Sequence, residues 1–183
     1  EERAMLAAMI HRDFNCAVST GCGRVFDGVA ALLRRCEYND FDAQAGMALE
    51  AAAGEAEAPG DAHRYDILAG EEGDPDVIDL SPLVRWLAEE VEAGGETSTL
   101  AAAYHETLAA AWAEGAHRAA ERTGVRTVGL TGGVFCNELL TRRLTDRLAS
   151  QGLEVLRHRV VPPNDGGISY GQAAIAAVRR AGI

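Results

Sequence analysis

The stretch Val128-Gly129-Leu130-Thr131-Gly132-Gly133-Val134-Phe135-Cys136-Asn137 decides how this chain folds. A short apolar lead, a glycine pair and an amphipathic continuation predict a buried strand, a tight turn and a helix. Adjacent glycines at a strand's carboxyl end let a flat ligand lie against the backbone with no Cβ in the way. Asn137 is expected one turn into the helix, where its amide reaches a base or a ribose. The same spacing also describes an ordinary packed strand–helix turn, because glycine turns are common. A second glycine turn, Pro162-Pro163-Asn164-Asp165-Gly166-Gly167-Ile168, repeats the arrangement and adds a carboxylate. Asp165 there either caps the terminal helix or offers a hard oxygen to a metal or metal-bound phosphate. Gly166 beside it is a nucleotide-binding candidate.

Outward from this core, a strand is predicted over 126–131 and a helix over 136–151, stopped by Gly152. A short strand, Glu154–Leu156, and a terminal helix over 166–181 follow. Strand–helix–strand–helix implies a small parallel sheet with helical crossovers across 126–183. Residues 1–125 read as mainly helical. Helices are expected over 1–12, from Gly23 to about Arg35, and from Asp42 to about Glu57. Residues 58–79 are rich in glycine, proline and acids, with a short hairpin expected from Tyr65–Leu68 and Val77–Leu80, and the acid-rich stretch 71–79 reads as a solvated loop. Ser81 is expected to cap a helix that has Pro82 at its first position and runs to about Ala93. Thr97 to about Thr123 is the longest helix, ended by Gly124.

Composition narrows the function. The 183 residues, 48% hydrophobic and 25% charged, suit one globular lobe. A net charge of −11 argues against nucleic acid or an anionic membrane as a partner. All 17 basic residues are arginine, so neither a lysine Schiff base nor a P-loop lysine is available. Cys16, Cys22, Cys36 and Cys136 form no C-x-x-C pair, which fits reduced thiols. With no signal peptide or membrane-length apolar run visible, a cytoplasmic location is expected. The chain opens without methionine, in what reads as mid-helix, and is expected to be a piece of a longer protein.

A third motif is Ser19-Thr20-Gly21-Cys22-Gly23-Arg24-Val25-Phe26-Asp27-Gly28. Glycines such as Gly23 open a helix whose first turn carries Asp27, a position that suits the helix dipole and also a ribose diol. The histidines His11, His63, His105, His117 and His158 form neither H-x-x-x-H nor H-E-x-x-H. His105 reads as a satisfied core or surface histidine, and Trp86 and Trp112 as packing.

Taken in order, these segments resemble the C-terminal region of the hydrogenase-maturation carbamoyltransferases, the HypF family. The resemblance rests on Gly23-Arg24-Val25-Phe26-Asp27-Gly28-Val29-Ala30-Ala31-Leu32-Leu33 and Phe41-Asp42-Ala43-Gln44-Ala45-Gly46-Met47-Ala48-Leu49-Glu50. It continues through Gly132-Gly133-Val134-Phe135-Cys136-Asn137 and Val161-Pro162-Pro163-Asn164-Asp165-Gly166-Gly167-Ile168-Ser169-Tyr170-Gly171-Gln172-Ala173. It implies a helix-rich α/β fold, the C-terminal lobe of an actin-like, ribonuclease H-like ATPase domain. By this resemblance Gly132, Gly133 and Asn137 hold the adenosine of ATP, Asp27 faces the nucleoside, and Asp42 lies in the neighbouring motif. Asp165 matches an aspartate that joins two histidines around a divalent transition metal in the full-length protein, and Mg²⁺ accompanies the ATP.

The implied reaction converts carbamoyl phosphate and ATP into carbamoyl-adenylate. The carbamoyl group then passes to the C-terminal cysteine of HypE and becomes the cyanide ligand of the [NiFe] centre. Partners are therefore HypE and the remaining N-terminal regions of the same protein, which carry the family's histidines and phosphate-binding strands. The fragment alone is expected to be inactive. Where the family usually has Tyr-Glu-Gly-Gln-Ala, this chain has Phe41-Asp42-Ala43-Gln44-Ala45, which puts a methyl where the backbone approaches the ligand. Alternatives are a non-catalytic nucleotide-binding or HypE-docking module, or a related small-molecule O-carbamoyltransferase. A tRNA-modifying relative fits less well, given the acidic charge and the Gly-Gly-Val-Phe-x-Asn form.

Overall fold

The computed structural model describes residues 2–60, 63–71 and 74–182. In chain order these form α1 (Glu2–His11), α2 (Cys22–Leu32), α3 (Gln44–Ala53), β1 (Asp66–Leu68), β2 (Val77–Asp79), α4 (Ser81–Glu92), α5 (Thr97–Thr123), β3 (Thr127–Leu130), α6 (Glu138–Ser150), β4 (Glu154–Arg157) and α7 (Ile168–Ala181). Two short 3₁₀ turns, Gly133–Cys136 and Asp165–Gly167, precede α6 and α7.

Helix α5 is the axis of the lobe. Ala101, Ala102, Ala103, Ala109, Ala111 and Ala113 are all fully buried, and side chains that small let neighbouring helices approach its backbone. α3, α4 and α6 pack on it, and α2 lies against α3 and α4. Each helix turns an apolar stripe inward at spacings of three and four residues. The stripes are Phe26, Val29 and Ala30 on α2; Ala45, Leu49 and Ala53 on α3; Leu83 and Leu87 on α4; and Leu140, Leu144 and Leu148 on α6. Each of these leucines is nearly or fully buried, a burial worth roughly 1.5–3 kcal/mol apiece.

The fold class is the expected helix-rich α/β arrangement with a small parallel sheet. β3 pairs with β4 in parallel, Val128 beside Val155 and Leu130 beside Arg157, with α6 as the crossover. β1 and β2 form the short antiparallel hairpin, Ile67 opposite Ile78. Gly124 ends α5 in the left-handed conformation, at φ 73°.

Three local expectations need correction. Asp27 is the sixth residue of α2 and stands beyond its first turn, which holds no acid. Ser81 is the first residue of α4 rather than its cap. Leu80 stands at the N-cap, and Asp79 just ahead of it accepts the Ser81 N–H through Oδ1 at 2.8 Å. The helix expected from 136 begins at Glu138, because Gly133–Cys136 winds into a 3₁₀ turn first. Asn137 is consequently the N-cap of α6 and not a residue one turn inside it.

One face of the lobe is uncovered. Among the described residues β3 and β4 have no third strand beside them. α7 buries no side chain, and its Ile168, Tyr170, Ile175 and Val178 are about half exposed. Open sheet edges and an amphipathic helix without a partner lack the layer under which parallel sheets are normally buried. No helix of the described residues is long and apolar enough to cross a membrane.

Candidate functional site

Motifs far apart along the chain meet at one cleft of about 830 Å³. Its walls are the first turns of α2, the loop leading into α3 with the outer face of that helix, and the 3₁₀ turn with Asn137. Five of the residues singled out in the sequence line it together: Gly23, Asp27, Asp42, Gly133 and Asn137. Gly132, Asp165 and Gly166 stand outside its lining. Gly132, at φ 109°, donates its N–H to the Pro163 carbonyl at 2.8 Å and so fastens the two glycine turns to each other. Gly166 donates to Asn164 Oδ1 at 3.1 Å, and Asn164 itself lines the cleft.

Asp27 is the most informative group here. Its Oδ1 accepts from Asn39 Nδ2 at 3.1 Å. Its Oδ2 lies 2.8 Å from the Arg24 guanidinium, an ion pair too poorly aligned to be a hydrogen bond, and is shielded from solvent with no hydrogen-bond donor. Acceptors in that condition are uncommon, and this one stands at a cleft wall. Beneath it Phe26, Tyr104 and His105 pack edge to face, with centroids 4.9–5.7 Å apart.

Two residues that position this cleft were not singled out in the sequence. Asn39 holds Asp27 and also accepts the Ala45 N–H at 3.0 Å, so it ties α2 to the start of α3. Glu50 Oε1 accepts the Leu139 N–H at 3.0 Å and joins α3 to the first turn of α6. Asn39 carries a weak local signal, a turn asparagine just ahead of a helix. Glu50 carries none, since its partner is 89 residues away.

Residues 1–172 match the family described as carbamoyltransferase, Kae1-like domain, second subdomain. The chain belongs to this family. It is 37% identical to carbamoyltransferase HypF2 of Cupriavidus necator, over 96% of this chain and 24% of that protein. It is 28% identical to the probable carbamoyltransferase HypF of Methanocaldococcus jannaschii, over 94% of this chain and 22% of that protein. A crystal structure of full-length HypF in a phosphate- and nucleotide-bound form superposes with a TM-score of 0.83 at 38% identity, covering 96% of this chain and 22% of that one. The chain thus spans about a quarter of the length of these HypF relatives.

In this HypF-family lobe Asp165 is exposed, and no three His, Cys, Asp or Glu side chains among the described residues are grouped to hold a metal. A metal at Asp165 therefore needs ligands from outside the described residues. Ala43 sits at φ 63°, ψ 12°, in the left-handed region that costs an L-residue with a Cβ about 1–2 kcal/mol. Ala43→Gly is accordingly expected to raise stability by about 1 kcal/mol in urea unfolding. An unchanged or lower midpoint would show that the alanine is not strained.

A second cavity, of about 410 Å³, is lined by Arg142, Arg143, Arg147, Glu106 and His63 among others. Two of its guanidiniums are committed. Arg143 donates to the Ala102 carbonyl at 2.7 Å and pairs with Glu106, while Arg147 pairs with Glu106 and His63. This network fastens α6 to α5.

Proposed function

We propose that this chain is the nucleoside-binding lobe of a carbamoyltransferase that makes carbamoyl-adenylate from ATP and carbamoyl phosphate. The carbamoyl group then goes to the C-terminal cysteine of HypE, on the way to the cyanide ligand of a [NiFe] hydrogenase. The observation that carries this is the cleft itself, where Asp27, Asn137 and Gly133, from motifs far apart in the sequence, share one lining. A carboxylate accepts from ribose hydroxyls, and the glycine turn leaves room for a flat base.

Electrostatics support a role for this lobe at the nucleoside half of ATP. Asp27, Asp42 and Glu50 line the cleft against a single guanidinium, Arg24, which is already engaged by Asp27. An unscreened triphosphate is repelled there. Its charge calls for Mg²⁺ and for donors from the family's preceding segment, which the uncovered face of β3, β4 and α7 is suited to receive. Formation of an adenylate then relies on positioning and charge neutralisation rather than on a protein nucleophile. In this reading Asp165 contributes one ligand to a metal whose other ligands come from the preceding lobe.

Calorimetric titration tests this. Without Mg²⁺, adenosine is expected to bind this chain at least as tightly as ATP, and added salt is expected to strengthen ATP alone. Carbamoyl-adenylate should form only after the preceding lobe is supplied. If adenosine fails to bind even with that lobe present, the proposal is wrong. Adenylate formation by the chain alone would overturn the division between two lobes.

A further inference from the structure

His105 lies wholly inside the lobe, yet its ring is not simply packed: both nitrogens are used. Nδ1 lies 2.8 Å from the Ala101 carbonyl oxygen, and Nε2 lies 3.0 Å from Asn137 Nδ2. At the other end, Asn137 Oδ1 accepts the Leu140 N–H at 2.8 Å. The two ends of this relay are backbone groups whose polarity cannot change. A carbonyl can only accept, so Nδ1 carries the proton and Nε2 is a bare acceptor. A peptide N–H can only donate, so the Asn137 oxygen faces Leu140 and its NH₂ faces His105. Reversing the amide would set donor against donor at Leu140, and reversing the tautomer would set acceptor against acceptor at Ala101. The two anchors therefore agree on a single arrangement.

What the relay leaves over is one N–H and one oxygen lone pair on the Asn137 amide, at a residue that lines the cleft. That donor–acceptor pair matches adenine, which offers an amino donor beside a ring-nitrogen acceptor. Guanine offers two acceptors on the same edge and leaves the amide oxygen facing another oxygen. We propose that His105 is a positioning residue that locks the Asn137 amide in one orientation, so that the cleft selects adenine over guanine. This rests on the nucleotide reading of the cleft given above.

The test has two arms, both on this whole chain. Long-range ¹H–¹⁵N spectra of the imidazole read the tautomer without any ligand, and the Nδ1–H form is expected. Calorimetry with ATP and GTP in Mg²⁺ reads selectivity. The wild type should prefer ATP by about tenfold or more, and His105→Phe, which keeps the ring contacts with Phe26 and Tyr104, should bring the ratio close to one. In an Asn137→Ala background His105→Phe should change neither affinity, because it acts through that amide. His105→Gln can still offer an oxygen to Asn137 Nδ2 and should recover part of the preference; it also serves if the phenylalanine variant does not fold. An Nε2–H tautomer, or an unchanged ATP-to-GTP ratio in both variants, overturns the lock. If the wild type binds neither nucleotide even with the preceding lobe supplied, the cleft reading and the base selectivity both fall, and the tautomer spectrum distinguishes that result from a failed lock.

Discussion

Replacing Asn137 by alanine is expected to cost the fold about 3 kcal/mol and to lower its melting temperature by about 10 °C. The loss has two sources. Asn137 caps α6 through the Leu140 N–H, a contact of a kind worth about 1 kcal/mol. Its amide also satisfies His105 Nε2, which the alanine would leave as a buried acceptor with no partner at a cost of about 1–3 kcal/mol. Asn137→Asp separates the two, because a carboxylate still accepts from Leu140 but has no hydrogen to give Nε2. Thermal melting and urea titration of the three chains read the difference. A loss below about 0.5 kcal/mol for the alanine variant would mean that water replaces the amide at both ends. The same variant should bind adenosine poorly if the cleft is used as proposed, and Asn137 already connects helix capping to core hydrogen bonding.

The fold was largely legible because helical and strand periodicities in this chain are regular. Ala45, Leu49 and Ala53, or Leu140, Leu144 and Leu148, announce their buried faces directly. The strand at Thr127–Leu130 was marked by its apolar run before the glycine pair. What misled was the apolar segment Val134-Phe135-Cys136, which continues the helical pattern backwards although the backbone there is a 3₁₀ turn. A two-residue shift in the helix start moved Asn137 from the helix interior to its cap, and with it the direction of its amide. Ser81 fell inside α4 for a related reason: several residues near a helix start have capping chemistry, and only the backbone decides which position each takes, here Leu80 at the cap and Asp79 accepting the Ser81 N–H.

The site was legible as separate motifs but not as a place. The α2 motif with Asp27, the loop with Asp42 and the turn with Gly133 each had an ordinary structural explanation on its own. Only the packing of α2 on α3, and of α3 and α6 on α5, brings them to one cleft. The links that hold its walls together are long-range in sequence: Glu50 to Leu139, and His105 to Asn137, 32 residues apart. His105 shows the limit well. The sequence left it between core and surface, the structure buries it fully, and its partner Asn137 was not readable from spacing at all.

That burial also carries the second large effect, a pH dependence of stability. Desolvation pushes the His105 imidazole down from 6.5 to about 4; the nearby Arg143 charge works in the same direction and the Ala101 carbonyl opposes both. The sign follows from which state takes the proton first. Between pH 6.5 and about 4 the unfolded chain is protonated at this residue while the folded chain is not, so acid favours unfolding. The stabilisation is complete above about pH 6.5 and is lost as the pH falls toward 4, for a total of about 3 kcal/mol. Carboxylates held below their usual range, among them Glu114 by its hydrogen bond from Tyr65, add their own acid sensitivity at the low end of this interval. They are present equally in wild type and His105→Phe, so the difference between the two unfolding profiles isolates the histidine. Urea titrations from pH 7.5 to 4.5 should show the wild type losing stability faster than the variant, with most of the divergence above pH 4.5. Parallel profiles would mean that His105 takes up its proton inside the fold, and the relay from Ala101 to Leu140 would then be formed in some other way.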